Sequence, residues 1–375
     1  MKFNILATKM LNLRKDTFIL MALNLPLSTV ASLALVSKDC NRKLTEEYWR
    51  LRLLQERGLV KAEGLWKEVY RASRQVLYIF GCGKKLRDIG FNVDKGIIKP
   101  MPILSGVKMV SCGYQHIGIV DYLDNLWIQG RESHFEFCAG KEYKSGWNFI
   151  RENVAKVDCD HSSTLFVDKN NDAYNVGIYA GKDWNSTIEY LMSNVKDIFN
   201  NFHFVALVTL DDQLYVRHTE DPNYKLARVA ENVKSVNVYH NNPVFVTKTN
   251  ELFRFVCEKG SYKLYKLQDG VRKVEGYFQW LVDTSVRKHD TAFSKQDLSS
   301  WYNITDDLID FTATNFSTLY LDSLHNLYGF GENIYAKFET NNHKPTHLLS
   351  NILQASMDDY AAAVGYKNAK NIEIL

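Results

Sequence analysis

A chain of 375 residues with 46% hydrophobic and 24% charged residues has the composition of a folded globular protein and excludes disordered or collagen-like classes. With 46 basic and 43 acidic residues the formal charge is only +3, which excludes a dedicated nucleic-acid binder. Six cysteines with no CxxC pair point to a reducing intracellular compartment, cytoplasmic or nuclear, and the triplets at Asn185, Asn303 and Asn315 read as chance glycosylation matches. The charge is uneven along the chain: the first 75 residues carry +7 and the remainder −4, which divides the protein near residue 75.

From the N-terminus, Thr17 to Ser37 is an uncharged run of 21 residues, long enough to cross a bilayer. Its polar residues Asn24, Ser28, Thr29 and Ser32, and Pro26 at mid-span, argue against one continuous apolar helix, so no membrane association is expected. Short helices are predicted instead. Asp16 is placed to cap the run Thr17 to Asn24, Leu25-Pro26 breaks it, and Leu27, Val30, Ala31, Ala34 and Leu35 fall on one face of the next helix. Thr45 is expected to cap a helix with Glu46 and Glu47 in its first turn, followed by Trp49, Leu51 and Leu53; a further amphipathic helix is expected near Leu65 to Ser73. So small a unit holds more apolar side chains than it can bury alone, and that surplus implies a partner or a packing surface.

From Leu77 onward one pattern recurs: an apolar strand, a short polar break and a second strand. Copies begin at Val107, Val154, Val195, Val233, Val271, Leu308 and Asn351, 37 to 47 residues apart, the period of a propeller blade. Five of them continue into a five-residue polar turn and then an aliphatic-aromatic pair: Leu126-Trp127, Ala173-Tyr174, Leu214-Tyr215, Leu252-Phe253 and Leu327-Tyr328. A constant step between anchors reads as a β-hairpin of fixed loop length, and apolar groups on both faces imply a sheet packed between two neighbours. The copy at Val271 departs from the pattern, since the expected hairpin continues at Asp290 to Phe293. The expected fold is therefore mainly β: a seven-bladed β-propeller over residues 76–375, preceded by a small all-α domain over 1–75. The terminal Asn371 to Leu375 is expected to close the ring beside Val76 to Phe80. An irregular β-sandwich is the alternative, but it leaves the repeated hairpin length unexplained.

The pattern from Val107 to Val120, with Gly113 and His116, and the segments Leu77 to Gly81, Leu126 to Gly130 and Leu327 to Asn333 resemble the repeats of the regulator of chromosome condensation. The resemblance implies a propeller. The family's nucleotide exchange on a small nuclear GTPase is not carried over, because its loops have no recognisable counterpart here. The stretch around Leu25-Pro26-Leu27, with Val36-Ser37-Lys38 and Trp49, is similar to an F-box. That likeness implies that Leu25, Pro26, Leu27, Val30, Leu33, Val36 and Trp49 contact a Skp-type adaptor of a cullin ubiquitin ligase; the alternative is a helical cap on the propeller. F-box proteins with weak propeller repeats also resemble those of large DNA viruses.

No catalytic signature emerges. Gly81-Cys-Gly83 and Gly329-Phe-Gly331 lack the third glycine and following helix of a dinucleotide site. Cys159-Asp-His161 and His343 to His347 supply too few convergent ligands for zinc. Cys112 and Cys159 share one repeat position and read as small buried strand residues, and no cofactor is expected. The expected function is a non-enzymatic substrate receptor whose propeller binds an unknown target protein, with a propeller scaffold or a guanine-nucleotide exchange factor as the alternative.

Overall fold

The computed structural model describes residues 14–25, 29–30, 38–57, 66–67, 70, 76–81, 99–101, 106–114, 116–130, 146–160, 163–177, 188–201, 204–218, 225–239, 242–258, 261–275, 279–282, 285–288, 308–313, 317–331, 342–350, 352–357 and 361–366. Three short helices come first: α1 (Lys15–Leu23), α2 (Lys38–Lys43) and α3 (Glu46–Arg57). Everything after them is strand. β1 (Val76–Gly81) and β2 (Lys99–Met101) pair with each other. Next come four-stranded sheets of β3 (Met109–Cys112), β4 (His116–Val120), β5 (Leu126–Gly130) and β6 (Asn148–Arg151), then of β7 (Val154–Cys159), β8 (Ser163–Asp168), β9 (Ala173–Gly177) and β10 (Glu189–Met192). β11 (Val195–Asn201), β12 (Phe204–Thr209), β13 (Leu214–His218) and β14 (Ala227–Ala230) form the next, and β15 (Val233–Tyr239), β16 (Asn242–Thr247), β17 (Leu252–Glu258) and β18 (Ser261–Gln268) the one after. β19 (Val271–Glu275), β20 (Gln279–Val282) and β21 (Ser285–Lys288) make a three-stranded sheet; β22 (Leu308–Ala313), β23 (Ser317–Asp322), β24 (Leu327–Gly331) and β25 (Asn342–Leu349) restore four strands. β26 (Ile352–Met357) and β27 (Ala361–Tyr366) join β1 and β2 in the order β2-β1-β27-β26.

The expected seven-bladed ring is corrected by this topology. Five sheets are complete blades of four consecutive strands, β3–β6, β7–β10, β11–β14, β15–β18 and β22–β25. The β19–β21 sheet has three strands among the described residues, and the remaining sheet is assembled from both ends of the propeller segment. The physical reason lies in the hairpins. In a complete blade Val154 faces Asp168 and Val195 faces Thr209, whereas Val271 faces Val282, three residues nearer in sequence, so β20 turns back early and β21 follows at once. The expected continuation at Asp290 to Phe293 lies outside the described residues. The last copy is also one residue out of register: Ile352, not Asn351, holds the place of Val154, facing Tyr366. Closure runs through β27, with Val76 opposite Tyr366 and Gly81 opposite Ala361; Asn371 to Leu375 lies outside the described residues.

A separate all-α F-box domain is not found either. The helices share one apolar core with the propeller: Phe18, Ile19, Ala22, Val30, Tyr48, Trp49, Leu53 and Tyr70 cluster with Tyr122 from the β4–β5 turn. The surplus of apolar side chains in the N-terminal segment is thus buried partly on the propeller itself.

The second strand of each complete blade is where the core is densest. β4, β8 and β12 are buried at every position, because they lie inside their own sheet and between two neighbours. Apolar clusters join successive sheets: Val120, Leu126 and Ile128 pack on Val154, Val157 and Phe166, and Leu165 and Val167 pack on Val195 and Leu207. Leu77 and Ile79 of β1 meet Val110 and Ile117, which brings the end-assembled sheet against the β3–β6 blade. The aromatic of each aliphatic-aromatic pair faces an aromatic or aliphatic group across the strands. Phe166 opposes Tyr174, Phe245 opposes Phe253 and Tyr320 opposes Tyr328, and these rings stack at 5.3, 5.4 and 5.0 Å.

Candidate interaction surfaces

One end of the propeller is built from the five-residue turns between second and third strands. Asp121 opens the first turn and its Oδ1 accepts from the backbone N–H groups of Leu123 (2.9 Å) and Asn125 (2.8 Å). Asp168 does the same for Asn170 and Asp172, and Asp322 for Leu324 and Asn326, while Thr209 and Thr247 use their hydroxyls toward Gln213 and Glu251. An Asp or Thr at this place satisfies donors that the turn would otherwise leave open. The fourth turn residue has a left-handed backbone in each case: Asp124, Asn171, Asp212, Asn250 and His325, with φ of 61 to 65°. Asn and Asp tolerate that conformation because their short polar side chains bond locally.

These left-handed residues join blade to blade. The carbonyl of Asp124 accepts from Val154 N–H at 2.7 Å, and Asn171, Asp212, Asn250 and His325 repeat the bond to Val195, Val233, Val271 and Ile352. In return Asn153, Asn194 and Asn232, also left-handed, accept from the N–H groups of Lys169, Leu210 and Lys248 in the following turn. Lysines reinforce the joints. Asp124 takes Lys108 from its own blade and Lys169 (2.5 Å) from the next; Asp212 takes Lys196 and Lys248 in the same way. Hydrogen bonds from these two ammonium groups hold the Asp212 carboxyl below the usual carboxylate range. Sequence reading missed this device, although its signal is present: an Asn or Gly stands immediately before Val107, Val154, Val195, Val233, Val271 and Ile352.

Nearer the axis, first strands are tied sideways by side chains. Lys156 Nζ donates to Asp197 at 2.8 Å, Lys273 to Asp310 at 2.5 Å, Cys159 N–H to Ser111 Oγ at 2.8 Å and Asn200 N–H to Asp158 at 2.6 Å. At the seam between β26 and β3, Val110 N–H donates to Gln354 Oε1 (3.1 Å) and Cys112 N–H to Ser356 Oγ (2.9 Å). The motif residues Gly113 and His116 serve the same purpose. A Cβ on Gly113 would lie 2.4 Å from the Asp160 carbonyl oxygen, and His116 Nε2 sits 2.8 Å from Thr164 Oγ1 of the next blade. Cys112 and Cys159 are buried free thiols, and burial pushes Cys159 up to about 12, which makes it a poor nucleophile at neutral pH.

In the helical layer, Arg52 of α3 reaches the C-terminal end of α1 and donates to the carbonyls of Leu25 (2.8 Å), Ala22 and Leu23 (both 3.3 Å), where the helix dipole favours a cation. Leu25 is half-buried beside it. Val30 and Trp49 are buried; the Trp49 ring meets Tyr48 edge-on at 4.8 Å and Tyr70 at 5.2 Å. Pro26, Leu27, Leu33 and Val36 lie outside the described residues. Two expected caps differ: Asp16 sits in the first turn of α1 with Arg14 at the cap, and Thr45 precedes α3 with its hydroxyl buried and unbonded among the described residues. Among the described residues, the large apolar side chains that this layer exposes are Leu20 (62%), Met21 (41%) and Leu54 (39%). No helix among the described residues is long and apolar enough to cross a membrane, and no group of three metal-ligating side chains occurs among them.

The ring of blade-joined hairpins has solved counterparts. Prp20p of Saccharomyces cerevisiae superposes with a TM-score of 0.64 at 13% identity, over 80% of this chain and 93% of that one. Yeast RCC1 (Prp20) in its structure with Kap60 gives 0.64 at 14%, over 84% and 94%. The fold is that of an RCC1-like propeller. Human WBSCR16 agrees, at 0.64 and 11% identity over 79% of this chain and all of that one. No family model matches the sequence, and no curated protein matches it significantly. At such identities the RCC1-like resemblance is one of fold, and the F-box and viral resemblances have no counterpart in these comparisons.

Proposed function

We propose that this chain is a non-enzymatic RCC1-like propeller scaffold that holds a protein partner. The observation that carries the reading is the likeness to the Prp20 propeller over four-fifths of the chain, a protein studied for its binding to Gsp1p and histones and solved bound to Kap60. The joined turns support it, since a propeller stitched at five blade boundaries presents its loops with little loss of entropy on binding. Affinity capture with the intact chain, followed by reconstitution of the recovered partner from purified components, tests it. A one-to-one complex with a Kd of about micromolar or tighter is expected, and failure of every recovered protein to rebind sinks it. Labelled-GDP release from a small GTPase distinguishes the two forms of the reading: unchanged release fits a scaffold, and acceleration makes the chain an exchange factor.

A ubiquitin-ligase receptor is the second reading, favoured by the exposed Leu20, Met21 and Leu54 on the helical layer. Because Val30 and Trp49 are buried, adaptor contact would fall on these exposed groups. Pull-down of a Skp-type adaptor by the full chain, lost in Leu20→Asp/Met21→Asp, is its expected outcome; an intact, folded chain that recovers no adaptor removes it.

A further inference from the structure

The five polar turns stand at one end of the propeller, and their third residues are Leu123, Asn170, Asp211, Thr249 and Leu324. The two leucines have different surroundings. Leu123 packs beside Tyr122 against the helical layer, whereas Leu324 is 73% exposed. The first strand of the Leu324 blade is unusual at the same end. Lys108, Lys196 and Lys234 occupy its second place in three other blades and bond to Asp124, Asp212 and Asn250, the fourth residues of their turns. In the β22–β25 blade that place belongs to Ile309, 49% exposed, and the fourth turn residue is His325. Ile309 and Leu324 thus form an apolar spot where those blades display a lysine, and residues 308–326 contain no Lys or Arg. The helical layer offers a converse surface at this end. Leu20 and Met21 of α1 and Leu54 of α3 are exposed, turned away from the core that Phe18, Ala22 and Leu53 build on Tyr122. The segment that carries them has a charge of +7, against −4 for the rest of the chain.

We propose that a second copy of this chain covers both surfaces, in a two-fold dimer whose turn ends face each other. Leu20, Met21 and Leu54 of each copy then pack on Ile309 and Leu324 of the other. Both surfaces lie at one end of the molecule, so a single two-fold axis forms the contact twice, and association closes at two copies instead of running on into a fibre. The helical layer stands over the β3–β6 turn, while β22–β25 lies two sheets away round the ring, beyond the sheet that contains β26. Each layer can therefore seat on its partner's bare blade without meeting its own. Apolar groups leave water on both sides of the contact. The basic segment of one copy meets the acidic part of the other, at a blade hairpin with no basic side chain of its own to repel it. The dimer occupies the side chains on which adaptor contact would fall, so the two associations are mutually exclusive.

Analytical ultracentrifugation of the full-length protein tests the pairing, with a dimer of Kd about 10 μM or tighter expected. Ile309→Lys/Leu324→Asn installs the residue types that hold the equivalent places as Lys196 and Asn170, so the blade itself is not disturbed. It is expected to raise Kd by about tenfold or more, and Leu324→Asn alone reads the same effect if the double variant does not fold. Leu20→Gln/Met21→Gln is expected to do the same from the other side of the contact. Mixing the two variants reads reciprocity. Each alone has lost both contacts, but one copy of each kind still brings an intact helical face onto an intact blade, so the mixture is expected to associate more tightly than either variant alone. Leu210→Lys, at another exposed turn leucine, is expected to leave Kd unchanged. A monomer at about 100 μM, a dimer weakened by only one kind of variant, no recovery on mixing, or an equal loss in Leu210→Lys overturns the proposal.

Discussion

Asp212 shows how one side chain can serve two blades. Its carboxylate meets Lys196 from the same blade and Lys248 from the next, while its left-handed backbone carbonyl receives Val233 N–H at 2.9 Å. The two ammonium groups lower its pKa in the folded state. A depressed carboxylate contributes stability above the unfolded-state range and loses it as pH falls through the folded-state value. The acid limb of a melting-temperature profile is thus expected to flatten in Asp212→Asn, with little change near neutrality in high salt, since the lysines of the clamp are partly exposed and screened. An acid limb that is superimposable on the unsubstituted protein at low salt counts against the clamp.

At the scale of the element, the hairpin turn is the repeated unit, and its fourth residue carries the geometry. Asn171 has φ of 65°, and its carbonyl holds Val195 at 2.8 Å. Glycine adopts that backbone freely, whereas a β-branched residue is strained there. Asn171→Gly is expected to stay within about 0.5 kcal/mol of the unsubstituted protein and Asn171→Val to lose about 1–3 kcal/mol, both read by chemical denaturation. Equal losses would place the effect in the Asn side chain rather than the backbone. The turn also explains why the aliphatic-aromatic pairs recur. A loop of constant length fixes the register, so Phe166 must face Tyr174 and Tyr320 must face Tyr328.

For the whole molecule, closure decides stability, because apolar clusters such as those around Val157 and Leu207 need the next sheet to cover them. The joint strand is β27, which lies between β1 and β26. Removing Ala361–Tyr366 is expected to abolish the cooperative thermal transition rather than lower it by a few degrees, since β1 and β26 then lose their shared partner. A sharp melt retained by that deletion would mean that the remaining sheets hold a ring without it.

How much of this was legible beforehand depends on the range of the interactions involved. The strand-break-strand pattern, the hairpin step and the aliphatic-aromatic pairs are local regularities, so reading the residues placed the first three strands of each complete blade and implied the RCC1-like fold, whereas the fourth strands β6, β10, β14, β18 and β25 lie in connections that share no pattern. Gly113 and His116 were visible as motif letters, but not as contacts to Asp160 and Thr164 across a blade boundary. The shortened Val271 hairpin and the one-residue shift at Ile352 escaped, because register is set by partner strands and not by spacing alone. The N-terminal segment announced its surplus of apolar side chains, yet whether that surplus would face a separate partner or the propeller could not be read from the helices. The amino-acid sequence by itself determined the repeating unit, since hairpin geometry is a matter of a few neighbouring residues. Only the tertiary structure decided that Trp49 and Val30 are buried, that β27 closes the ring and that Tyr122 receives the helices, because each of these depends on residues far apart in the chain competing for the same apolar surface.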